Sequence, residues 1–216
     1  MKEINIIGGG LAGCEAAYQV AKRGIKVKLY EMKPIKFSPA HSNENLAEIV
    51  CSNSLKSNSI TNACGLLKEE LRRLDSLLIK CADETKVPAG QALAVDREKF
   101  SELVTKKISE NPNIEIVHKE VEKIDDDGIT IVATGPLTSE KLSDEIGRIT
   151  GKEKLFFYDA AAPIVLKDSI NMEKAFTADR YGKGESDYIN CPMTKEEYDV
   201  FYNELVNAVI VNTHEF

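Results

Sequence analysis

The first residues that could do chemistry are Gly8-Gly9-Gly10-Leu11-Ala12-Gly13, a G-x-G-x-x-G pattern, and Glu31, eighteen residues after Gly13. The pattern alone is weak. Here it follows an apolar strand-like run, opens a helical stretch and is followed by a second strand-like run that ends at Glu31. In that setting each glycine has a physical reason. Gly8 permits a tight turn, Gly10 admits a diphosphate against the backbone, and Gly13 lets helix and strand pack closely. A helix beginning at Leu11 and Ala12 would aim free N–H groups and the positive end of its dipole at phosphate oxygens. A carboxylate at Glu31 would accept hydrogen bonds from ribose hydroxyls and repel a 2′-phosphate, which disfavours NADP at this site. On these grounds alone FAD and NAD fit equally well.

Cys51 is the second candidate. Glu48-Ile49-Val50 delivers it to Ser52-Asn53-Ser54, a loop of small hydrogen-bonding groups. A reactive thiol needs access and a lowered pKa, from cations or from nearby donors. His41 and Lys56 are candidate charge partners that sequence cannot place. A buried structural cysteine is the competing reading. Cys14, on the helix after the glycine turn, suits packing against a sheet. Cys64 and Cys81 flank a leucine-rich stretch and read as structural, and Cys191 receives no role. Five cysteines, an odd number with no C-x-x-C spacing, point to reduced thiols and give no zinc site. His41, His118 and His214 form no ligand or triad spacing, so no metal is expected. Asp125-Asp126-Asp127-Gly128 reads as a hairpin turn. Arg72 and Arg73 read as a solvated face.

The elements that must carry these groups can be read from periodicity. Strands are expected at 2–7, 25–30, 114–118, 121–124, 128–133, 154–158 and 164–167. Helices are expected at 11–23 (stopped by Gly24), 65–80 (a leucine face), from Asp96 through Ile108, 139–150 (stopped by Gly151), and from a Thr194/Glu197 capping box to about Ala208. Residues 32–45 and 52–62 read as loop. Alternation of strand and helix argues for an α/β fold with a parallel sheet. A domain boundary is expected near Gly135–Pro136, dividing the chain into 1–137 and 138–216. The β-branched run Val209–Val211, so near the last residue, suggests a chain cut from something longer.

Composition sets the outer limits. With 216 residues, 43% hydrophobic and 29% charged, the chain can bury a core without disulfide staples. No apolar run approaches the roughly 20 residues of a bilayer span, and no signal peptide is evident, so a cytoplasmic protein is expected. A net charge of −7 excludes a globally basic nucleic-acid binder. Residues 1–36 nevertheless carry seven Lys/Arg against three Asp/Glu, which leaves room for a local basic face.

Taken together, GGGLAGCEAA (8–17), EMKP (31–34), AEIVCSNSL (47–55), GLLKEE (65–70), ALAVDR (92–97), ATGPLTS (133–139), YDAAAPIV (158–165) and NCPMT (190–194) resemble the methylenetetrahydrofolate–tRNA-(uracil-5-)-methyltransferase family, the small GidA-like proteins. The resemblance runs from residue 1 to about 208. It implies a Rossmann-like FAD-binding fold of the glutathione-reductase type, followed by the start of an inserted α+β domain. Ala133-Thr134-Gly135 resembles that fold's second glycine-bearing strand end, and Glu120-Val121 its adenine-contacting strand. The cofactor-binding set so implied is Gly8, Gly9, Gly10, Leu11, Ala12, Gly13, Glu31, Met32, Lys33, Val121, Ala133, Thr134 and Gly135.

The family methylates carbon 5 of the T-loop uridine of tRNA. Its carbon comes from methylenetetrahydrofolate and its hydride from reduced FAD, which NAD(P)H recharges. A thiolate adding to carbon 6 of uracil makes carbon 5 nucleophilic enough to take the methylene. Cys51 matches one of the family's two cysteines, as nucleophile or as acid–base partner. The second cysteine lies beyond residue 216, members are about twice this length, and Gln91 stands where glycine is expected. The resemblance therefore implies that this stretch alone is inactive. Two alternatives remain: the larger GidA-like class, which modifies wobble uridine with FAD and folate, and a non-catalytic dinucleotide-binding module.

Overall fold

In the computed structural model, residues 3–125, 128–152, 165–180 and 183–209 are described. Their elements, in chain order, are β1 (Ile4–Ile7), α1 (Leu11–Ala21), β2 (Val27–Glu31), β3 (Ser54–Ser57), α2 (Ala63–Arg73), α3 (Leu77–Glu84), β4 (Lys86–Val87), β5 (Ala92–Val95), α4 (Arg97–Ser109), β6 (Ile114–His118), β7 (Ile129–Val132), α5 (Glu140–Thr150), β8 (Phe176–Arg180), β9 (Lys183–Asn190) and α6 (Lys195–Val206). Contacts divide the chain into two units, Met1–Pro163 and Ile164–Phe216.

The first unit is built on a four-stranded parallel sheet in the order β6-β2-β1-β7. Ile4 pairs with Val27 on one side and Ile129 on the other, and Val27 pairs with Ile114. Side chains alternate across a pleat, so Ile6, Val27 and Leu29 share one face and are buried with helix residues. Helix α1 meets that face through Gly13, Cys14, Ala17 and Ala21, small residues one turn apart that let helix and sheet approach. Phe100, Val104 and Ile108 of α4 complete the core, each fully buried. The helical period puts Phe100, Leu103, Val104 and Ile108 on one face, and Leu103 packs against the same core while only partly buried. Asp96 caps α4 by accepting from Lys99 N–H. Gly24 and Gly151 end their helices in left-handed conformations, as their positions implied.

The expected helix over 65–80 is two helices. The chain breaks at Leu74-Asp75-Ser76, where Asp75 has φ +64°. Ser76 caps α3, and Glu15 of α1 accepts from Ser76 Oγ (2.8 Å) and from the N–H groups of Leu77 and Leu78. An acceptor from another element thus gives α3 its own N-terminus. The leucine row is consequently not one face: Leu77 is buried, whereas Leu66, Leu67 and Leu74 are exposed. Arg72 is no solvated side chain either. It grips Asp83 of α3 through two 2.8 Å hydrogen bonds, while Arg73 is exposed as expected.

Asp75 also pairs with Lys22 and Lys80, and hydrogen bonds from these two ammonium groups lower its carboxyl from an ordinary 3.8 to about 2. A depressed carboxyl contributes stability that is complete above its unfolded value and is lost as pH falls through the folded one. Asn tolerates the left-handed backbone, so Asp75→Asn isolates the charge. Acid titration followed by circular dichroism should show the wild type losing more stability than the variant between pH ~4 and ~2. Parallel curves would mean that solvent screens both pairs.

Several expectations on strands change. Ser54–Ser57, read as loop, forms β3 in a small antiparallel sheet ordered β3-β5-β4. Residues 121–124 form no strand, because no ladder partner meets them. The described residues on either side of Asp126–Asp127 therefore form no hairpin: β6 and β7 lie at opposite sides of a parallel sheet. The expected strand at 154–158 lies outside the described residues, and the one at 164–167 does in part; Lys167–Ser169 is a single 3₁₀ turn. Helix α5 stays with the first unit, since Glu145 accepts from Ile124 N–H and Lys141 pairs with Glu122. The contact boundary thus falls beyond the 137/138 division.

The second unit holds an antiparallel ribbon, β8 with β9, and helix α6. The Thr194/Glu197 capping box is formed in both directions, with Glu197 N–H to Thr194 Oγ1 (3.2 Å) and Thr194 N–H to Glu197 Oε2 (2.9 Å). No helix among the described residues is long and apolar enough to cross a membrane.

Candidate functional site

At the carboxyl ends of β1 and β2 lies a cavity of about 440 Å³. Its floor is the turn between β1 and α1. Gly8 adopts φ +105°, and an added Cβ would stand 2.7 Å from Ala133 O. Gly13 lies behind the turn, where a Cβ would fall 1.8 Å from Gly8 O. Only glycine fits at either position. At Gly10 an added Cβ meets nothing within 4 Å, because Gly10 borders open space. No side chain caps α1 and no acidic residue occupies its first turn. The helix therefore presents uncapped N–H groups and the positive end of its dipole at Gly10, Leu11 and Ala12, all on the cavity wall.

Glu31 closes β2 beside this turn and is nearly buried. Its Oε2 accepts from Gly9 N–H (2.8 Å) and its Oε1 from Lys33 N–H (2.9 Å). Each oxygen keeps a second lone-pair direction for a ligand hydroxyl. The carboxylate thus holds the glycine turn while lining the cavity. Glu31→Gln would set an amide N–H₂ against one of those two backbone donors. It should cost about 1–3 kcal/mol in urea unfolding; an unchanged midpoint would show the turn holding without the carboxylate.

The loop after β2 supplies the opposite wall. Ala47, at φ +52°, turns its N–H onto Gly9 O (2.8 Å). The Lys33 ammonium is buried and pairs with Glu48 Oε2 (3.3 Å) and Asn45 O. Although Lys33 borders the cavity, its charge is committed to the loop. Burial pushes the Glu48 carboxyl up, but hydrogen bonds from Ser42 N–H and hydroxyl, with Lys33 and Asn43, outweigh it and hold Glu48 below the usual range. His41 sits on the same wall, bonded to Ser38 through Nδ1 (2.6 Å). Burial, then the Lys33 charge, lowers its pKa.

Cys51 is exposed and lines this cavity. Cys14 is the contrast: it is fully buried, bonds Gly9 O at 3.3 Å, and burial followed by the Glu31 charge pushes its thiol up. Cys81 is buried and raised to about 11 for the same first reason. The third wall comes from β7 and the turn after it, with Ala133, Thr134 and Gly135, the last at φ +63°. Met32 and Val121 complete the rim.

Of the expected site residues, all but Gly13 line one cavity, and Gly13 shapes its floor from behind. His41 shares that cavity with Cys51; Lys56 does not. Sequence reading missed Arg97, whose guanidinium binds the carbonyls of Ile49 and Val50. Nothing in a separation of nearly fifty residues could have signalled that pairing. No cluster of His, Cys, Asp and Glu suited to a metal occurs among the described residues.

This arrangement suits a dinucleotide, and the comparisons with known proteins agree with the fold that carries it. The chain is 63% identical over 213 residues to a methylenetetrahydrofolate–tRNA-(uracil-5-)-methyltransferase TrmFO of Acetivibrio thermocellus, covering 99% of this chain and 49% of the relative. It is 62% identical to the protein of that name from Fusobacterium nucleatum (96% and 48% covered) and 58% identical to that of Bacillus pumilus (99% and 49%). The chain therefore spans about half the length of the curated relatives it matches. Among solved structures, Aquifex aeolicus GidA superposes with a TM-score of 0.54 at 20% identity, over 68% of this chain and 30% of that one, a likeness of fold. The family model "Glucose inhibited division protein A" matches residues 3–216, and the chain belongs to that family.

Proposed function

We propose that this chain is the FAD-holding part of an enzyme that methylates carbon 5 of the T-loop uridine of tRNA, with methylene from methylenetetrahydrofolate and NAD(P)H as reductant. The observation that carries the reading is one cavity bordered at once by an uncapped helix N-terminus, an acid that closes β2, and an exposed thiol. The names of relatives 57–63% identical support the choice of reaction. A cytoplasmic location follows from a tRNA substrate.

The residues fit FAD. Gly10 leaves the space a diphosphate needs, and the N–H groups at Gly10, Leu11 and Ala12 would bind its oxygens. Gly8, Gly9 and Gly13 shape the turn, Glu31 would accept from the ribose, and Met32, Lys33 and Val121 would flank the adenosine half. Ala133, Thr134 and Gly135 would border the other end. When bound, FAD supplies the hydride that turns a methylene into a methyl group. Cys51, at the edge of the same cavity, supplies a thiol within reach of a nucleobase brought there, either for addition at carbon 6 or for moving the proton at carbon 5. We also read the second unit, Ile164–Phe216, as part of an inserted α+β domain, whose start was expected at residue 138.

The test uses the intact protein with FAD, NADPH, tRNA and methylenetetrahydrofolate labelled in its methylene carbon. Label is expected on carbon 5 of the T-loop uridine. Label on wobble uridine, or on no RNA, overturns the proposal.

A further inference from the structure

Cys51 stands in a short loop that is tied down on both sides to the same partner segment. Before it, Arg97 donates from Nε to Ile49 O (2.8 Å) and from Nη2 to both Ile49 O and Val50 O (3.0 Å for the second). After it, Asn53 and Val95 exchange hydrogen bonds, Val95 N–H to Asn53 O (2.9 Å) and Asn53 Nδ2 to Val95 O (3.2 Å). Val95 closes β5 and Arg97 opens α4, two residues apart on one rigid junction. Between the two ties, Cys51 projects, exposed, along the cavity.

A guanidinium is suited to such a tie. Its fixed fork can hold two successive carbonyls at once, whereas an ammonium is a single point of charge. Among the described residues no carboxylate pairs with Arg97, so its hydrogen bonds go to the main chain that delivers the thiol. A loop carrying a reactive group would otherwise sample many geometries, and displacement by 1 Å can cost about 10²-fold in rate.

We infer that Arg97 is the positioning residue for Cys51, setting where the thiol stands without touching substrate. This rests on the reading that Cys51 acts in methyl transfer. In the intact protein, Arg97→Ala should lower kcat about 10- to 100-fold, with KM for tRNA within about twofold and FAD still bound. Arg97→Lys keeps the charge and loses the fork; it should fold as the wild type does and lose about fivefold in kcat, again at unchanged KM. Amide exchange at residues 50–53 should quicken in both, with the parallel sheet unaffected. A kcat for Arg97→Lys within twofold of wild type overturns the inference, whether or not Arg97→Ala folds. A Cys51→Ala protein that keeps its activity removes the role given to the thiol instead, and leaves the exchange result to report on the clamp alone.

Discussion

Gly13→Ala should yield a protein that neither binds FAD nor holds its first βαβ unit together, whereas Gly10→Ala should fold normally and still fail to bind FAD. The two glycines lie three residues apart and differ in what surrounds them. A methyl group at Gly13 would sit 1.8 Å from Gly8 O and 3.0 Å from Gly8 C, both main-chain atoms of the turn itself. No flexible side chain can yield there, so α1 must move off β1. Overpacking of this kind costs about 1–3 kcal/mol where neighbours can shift, and more where they are backbone. The Cys14, Ala17 and Ala21 contacts with the sheet would loosen with the helix. A methyl group at Gly10 meets no atom within 4 Å, and its φ of −75° suits alanine. It costs the fold nothing and fills space at the helix N-terminus. Flavin absorbance of the purified proteins, with thermal unfolding of each, checks both. Gly10→Ala retaining full flavin content would remove the diphosphate from this turn, and Gly13→Ala unfolding like the wild type would mean the backbone relaxes freely.

Cys51→Ala in the intact protein should abolish methyl transfer, by about a thousandfold or more, with FAD content and melting temperature unchanged. The thiol is exposed and its removal leaves no cavity in a core. Cys14 is the internal control. Cys14→Ala deletes a fully buried side chain beside Gly9, so it should lower the melting temperature and alter activity only in proportion to lost fold. Rates with a saturating labelled donor, alongside melting curves, separate the two. Full activity in Cys51→Ala would make that thiol dispensable and move the chemistry elsewhere.

How far these positions could be read in advance depended on range. The glycine turn was legible because its demands are largely local: Gly8 holds a left-handed φ, and Gly13 packs against Gly8 itself, although Gly8 is also pressed by Ala133 from far along the chain. Helix α4 and the Thr194 capping box were legible for the same reason, since Asp96, Thr194 and Glu197 satisfy N–H groups three residues away. The split at Asp75 was not, because the acceptor that starts α3 is Glu15, sixty residues earlier. Strand β3 escaped because its polar residues gain strand geometry only from the ladder with β5. Residues 121–124 carry the β-branched residues Val121 and Ile124 but lack a partner strand, so they form no ladder.

The sequence by itself therefore determined the βαβ unit, the uncapped helix end above its glycines and the identity of the acid that closes β2, since these follow from local sterics and periodicity. The tertiary structure alone decided that Glu31 braces the turn as well as facing the cavity, that the Lys33 ammonium is turned inward to Glu48, and that Arg97 holds the Cys51 loop. Those are pairings between groups far apart in the chain. No periodicity encodes them, because only the packed core fixes which distant donor reaches which acceptor.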